Sequence, residues 1–144
     1  MDPTLATKTI CSTNPTSTNK VNIVLNTNGV SVAAANYNIT LKSQDPSLTG
    51  TPTTGVGLAA TAIQNDTYNN VTALPLNVVY TIVPVAAGGC LGDPFDITVT
   101  VNPEPVISNA LSNTVCSTDI SNIILSTNGV SVGAASYRLV NVTV

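Results

Sequence analysis

The sequence predicts an all-β chain, built from antiparallel β-sandwich modules in tandem with the second module truncated. Three observations carry that expectation. Apolar residues, 43% of the 144, come in short β-branched groups separated by Thr and Asn, with no long amphipathic period. Only 8% of residues are charged, against roughly 25% in an average soluble domain, so hydroxyl and amide side chains supply the polar surface. The stretch at residues 26–37, NTNGVSVAAANY, returns at residues 126–137 as STNGVSVGAASY. A period of about 100 residues is the size of one immunoglobulin-like sandwich.

The elements follow in order. Residues 1–7 form a lead-in, and Met1-Asp2-Pro3-Thr4 has neither the basic start nor the apolar core of a signal peptide, so it reads as a cut. A complete module is expected over residues 8–102. Residues 21–25 are an apolar β-branched run that stops at the Asn28-Gly29 turn signal. In residues 35–41, Tyr37, Ile39 and Leu41 alternate with Asn36, Asn38 and Thr40, the pattern of a half-buried strand. A Gly/Pro/Ser/Thr-rich loop spans 43–57, and 58–64 reads as a weak strand. Leu76 to Val83 is a strong strand, Gly88-Gly89 a turn, and Phe95 to Val101 the closing strand. With no Trp, one Phe and four Tyr, the core is expected to be aliphatic around Tyr37 as its central aromatic. Residues 103–108 form a linker, stiff because Pro103 and Pro105 favour an extended path. Residues 109–144 match the opening strands of the first module and stop at Val144, about a third of the way through a second unit.

Three cysteines are present. Cys116 is the repeat equivalent of Cys11, so its partner is expected beyond the truncation, leaving it unpaired. Cys11 and Cys90 are then expected to form a disulfide within the first module. Such a bond contributes about 4–5 kcal/mol in the chain-entropy model. Three reduced thiols are the alternative.

Chemistry is sparse. There is no His, no CxxC pair and no hydroxyl with an evident activating base, so the chain does not read as an enzyme and no cofactor is expected. Asp93 and Asp96 are weak calcium candidates; the competing reading is a turn residue and a solvent-facing strand residue. The net charge of −3 and the scatter of Lys8, Lys20, Lys42 and Arg138 argue against nucleic acid. No run of about 18 apolar residues points to membrane insertion. Asn38, Asn65, Asn70 and Asn141 fit the Asn-linked glycosylation pattern, which arises easily in an Asn/Thr-rich chain.

Residues 80–84, Tyr-Thr-Ile-Val-Pro, and residues 89–103, Gly-Cys-Leu-Gly-Asp-Pro-Phe-Asp-Ile-Thr-Val-Thr-Val-Asn-Pro, carry a specific resemblance. With the Cys-Ser-Thr steps at Cys11 and Cys116, they resemble the PKD-like repeat of giant secreted adhesins of the Bacteroidota. Tyr37 departs from the Trp common there. The resemblance implies an extracellular, cell-surface protein exported by type IX secretion, in the manner of gliding-motility adhesins. It supplies no catalytic residues. Three functions follow as expectations: a rigid spacer, a module binding a surface or glycan through the 43–57 loop, and a filament subunit exchanging strands between copies. The implied partners are neighbouring modules of the same chain and copies of itself.

Overall fold

The computed structural model describes residues 1–14 and 18–143. Five strands form among these residues: β1 (Thr7–Cys11), β2 (Asn36–Gln44), β3 (Gly55–Leu58), β4 (Leu76–Val85) and β5 (Phe95–Asn102). They make one sheet in the order β1-β5-β4-β2-β3. The chain is all-β, as the alternation and β-branching predict, and no α-helix occurs among the described residues.

β4 and β5 pair antiparallel, from Leu76 beside Val101 to Ile82 beside Phe95. β2 lies antiparallel on the other side of β4, with an irregularity between Leu41 and Ser43. β1 adds to the far edge of β5 in parallel, Thr7 beside Thr98 and Cys11 beside Asn102. The first and last strands of the unit are therefore neighbours, and both edge strands, β1 and β3, are short.

One face of the sheet is apolar. Ile39 on β2, Val78, Tyr80 and Ile82 on β4, and Ile97, Val99 and Val101 on β5 are all fully buried. Their intervening residues point outward, the period-2 signature of a sheet covered on one side. The covering layer is an irregular ribbon. Val21, Ile23 and Leu25 point inward while Asn22, Val24 and Asn26 face out. The expected strand over 21–25 thus has the burial rhythm of a strand but not its ladder. Asn22 takes a left-handed backbone angle of +52°, which interrupts regular pairing. Its partners are turns: Val21, Asn22 and Leu25 donate backbone hydrogen bonds to Asp66, Gln64 and Ala60.

The expected strand over 58–64 is likewise corrected. The ladder is β3 at Gly55–Leu58, and successive turns follow, closed by Ala62 N–H to Ala59, Gln64 N–H to Thr61 and Asp66 N–H to Ile63. The Ala-Ala-Thr-Ala run has no alternation to hold it extended. The flanking loop is shorter than expected, since β2 runs to Gln44 and β3 starts at Gly55.

All core hydrophobics among the described residues lie between Ile10 and Val101. Beyond β5, the opening strands expected over 109–144 do not form among the described residues; Val144 lies outside them. Ile120, Ile124, Leu139 and Val140 are exposed, and no strand among the described residues lies beside them.

Candidate functional site

The two ends of the sheet, rather than a cleft in its middle, carry the built features. At one end, a groove of about 550 Å³ is lined by Met1, Asn28, Val32, Pro84, Leu91 and Asp93, among others. Its wall is the loop after Leu25. The Asn28 side-chain oxygen accepts from the N–H groups of Val30 (3.1 Å) and Ser31 (2.9 Å), and Gly29 supplies the left-handed turn at φ +76°. The chain enters beside this loop, where Asp2 N–H donates to the Asn26 carbonyl.

At the opposite end sits Asn70, wholly buried. Its Nδ2 donates to the carbonyls of Leu74 and Val101, both at 2.8 Å. Its Oδ1 accepts from the Thr72 N–H and hydroxyl, and its backbone N–H donates to the Ser12 hydroxyl. One amide thus ties the turn at 71–74 to the ends of β1 and β5. A carrier of so many buried bonds cannot also carry a glycan in the folded state, whatever its Asn-Val-Thr pattern suggests.

The segment leaving β5 is fastened on both sides. Glu104 N–H donates to the Asn70 carbonyl. Val106 N–H donates to the Ser131 hydroxyl (2.9 Å), and the Val106 carbonyl accepts from Asn128 N–H (2.9 Å). Ser108 N–H donates to Ser126, and Ile107 bridges Thr127. The 126–131 loop has the geometry of its earlier counterpart: Asn128 accepts from Val130 and Ser131, and Gly129 stands at φ +78°.

The cysteines require a correction. Cys11, Cys90 and Cys116 are all exposed free thiols. Cys11 sits beside Asn102 at the Asn70 end, whereas Cys90 lines the groove with Met1. The length of β5 separates them, roughly 25 Å at about 3.3 Å per residue. A disulfide needs Cα atoms within about 7 Å. The expected Cys11–Cys90 bond therefore does not form; sequence separation concealed that the two lie at opposite ends.

Asp96 is placed on β5 opposite Thr81, and its carboxylate accepts from the Lys42 ammonium and the Thr81 hydroxyl. Those two donors, Lys42 first, hold its pKa below the ordinary carboxylate value. Asp93 lies in the exposed loop before it. No group of three or more Asp, Glu, Cys or His side chains gathers among the described residues. Tyr37 is buried on β2, and burial raises its hydroxyl pKa.

A second buried polar cluster escaped the sequence reading. Tyr80 on β4 donates to the Asp66 carboxylate, and the Tyr68 hydroxyl meets that of Tyr80. Asp66 also accepts from the Thr53 N–H (2.9 Å) and hydroxyl. Three elements are joined there: the 45–54 loop, the covering ribbon and the sheet. Asn65-Asp66 looks like turn chemistry, and only the tertiary approach of Tyr80 reveals its other task. Burial raises both phenols, Tyr68 to about 12 and Tyr80 further. This cluster is closed against solvent and braces the fold; it offers no open face to a substrate.

The family model described as PKD-like domain covers residues 8–105. No curated protein and no solved structure matches.

Proposed function

The chain belongs to the PKD-like domain family, and from that premise we propose that it is a structural repeat of a secreted cell-surface adhesin, serving as a stiff spacer that presents a more distal adhesive region. The domains of this family are typically non-catalytic extracellular modules. In this reading residues 8–102 are one module, 103–108 the linker and 109–144 the start of the next. The observation that carries it is the linker itself. Pro103 and Pro105 restrict its path, and backbone bonds from Glu104, Val106 and Ser108 fix it to the structure on either side. Chain entry and exit lie at opposite ends of the sheet, so successive units would extend rather than fold back. No helix among the described residues is long and apolar enough to cross a membrane.

The test is the distance between spin labels at Cys90 and a Val130→Cys site, with Cys11 and Cys116 replaced by Ser. A single narrow distribution is expected, broadened when Pro103 and Pro105 both become Gly. A broad distribution in the parent protein, unchanged by the glycines, would overturn the spacer reading. Exposed apolar residues at Ile120, Ile124, Leu139 and Val140 favour a second reading, strand exchange between copies. Concentration-dependent growth of the particle in X-ray scattering would select it.

A further inference from the structure

The 28–32 loop occurs twice in this chain, once open and once covered. The two copies fold alike: each Asn side chain accepts from the residues two and three further on, and each Gly takes the same left-handed angle. Their chain entries match as well, Asp2 N–H to the Asn26 carbonyl corresponding to Ser108 N–H to Ser126. Their surroundings differ. Val132 N–H donates to the Thr72 carbonyl of the Asn70 end (3.3 Å), and Ser131, bonded to Val106, is only 8% exposed. In the first copy Val32 is 78% exposed, and the Ser31 hydroxyl turns back to Asn28 instead.

We propose that the open loop at Asn28–Val32 is a docking face for the Asn70–Leu74 end of another copy of this module. The contact to be made is the one the later loop already makes: the Val32 N–H to the carbonyl corresponding to Thr72, and the Ser31 hydroxyl to the N–H corresponding to Val106. The partner end is complementary in kind. Its carbonyl at Thr72 points outward, and Val71 and Leu74 expose apolar surface beside it. Val30 is not part of the contact, since its counterpart Val130 stays 69% exposed even where the loop is covered. This inference rests on the tandem reading but adds to it a specific joint, which a stiff linker alone does not require.

Hydrogen–deuterium exchange tests it on the full chain and on the same chain preceded by a further copy of residues 1–106. That junction sets Val106 directly before Met1, which corresponds to Ile107. The expected result is at least tenfold slower exchange at Ser31 and Val32 of the full-chain portion once the extra copy precedes it, reaching the rate at Ser131 and Val132. Val32→Asp should abolish that protection and leave the melting temperature of the single chain unchanged, whereas Val30→Asp should leave the protection intact. Unchanged exchange at Ser31 and Val32, beside a slow Val132 in the same molecule, would overturn the proposal. Equally fast exchange at both loops would overturn it too, by removing the contact on which it is patterned. A narrow spin-label distance with an unprotected Val32 would refute the joint and leave the spacer standing.

Discussion

At the scale of single residues, the Asp66–Tyr80–Tyr68 chain shows what a buried polar group does in a lightly charged protein. No cation among the described residues pairs with the carboxylate; hydroxyl and amide donors replace one. Replacing Tyr80 by Phe removes a donor from Asp66 and an acceptor from Tyr68, and should cost about 1–3 kcal/mol in urea denaturation. The phenols also set an alkaline limit. Tyr68 and Tyr80 have folded-state pKa values above the ordinary 10.0, so both states bind the proton below pH 10 and the stability is fully present there. Above pH 10 the unfolded phenols ionise first, and stability falls from there through about pH 12 as the native state is penalised for keeping its protons. Denaturation midpoints measured from pH 8 to 12 should show that decline, shallower in Tyr80→Phe. None of this was legible locally. Tyr80 stood out only as part of a family-like motif, and its partner is 14 residues away on the covering ribbon.

At the scale of elements, strands read well where alternation and ladder coincide. β4 and β5 show it: Val78, Tyr80 and Ile82 face Ile97, Val99 and Val101 on one buried side, and the sequence displays the same rhythm. For 21–25 the two separate. The inward phase of Val21, Ile23 and Leu25 was legible, but the backbone turn at Asn22 was not, because Asn tolerates the left-handed region without announcing it. The 45–54 loop shows a third case. Gly50 adopts φ +150°, and a Cβ there would collide with the Tyr68 ring and the Thr67 carbonyl. Gly50→Ala should therefore destabilise by about 2 kcal/mol or more. Gly88→Ala, whose Cβ would meet nothing within 4 Å, should leave the melting temperature nearly unchanged.

At the scale of the whole molecule, the placement of the cysteines decides how the fold is held. Cys11 and Cys90 occupy opposite ends, so the core is secured by apolar burial and polar clasps without a covalent staple. All three thiols should react with iodoacetamide in the native protein, and a reductant should not shift its melting temperature. A peptide joining Cys11 to Cys90 in a non-reducing digest would contradict this arrangement. The repeat made Cys116 recognisable as the counterpart of Cys11. What the repeat could not convey was the sheet order, which sets β1 beside β5 and so sends the two cysteines to separate ends.

That same neighbourhood has a mechanical meaning. The chain enters through β1 and leaves through β5, and the two run parallel over five paired positions. Tension applied along such a module would pull Thr7 and Asn102 in opposite directions, sliding the strands lengthwise past each other. The ladder bonds between them would then carry load together, in shear, rather than peel open one after another from an end. Resistance to stretching is governed by the rate of that rupture rather than by equilibrium stability. A lightly charged unit with a small aliphatic core thus resists stretching through the order of its strands.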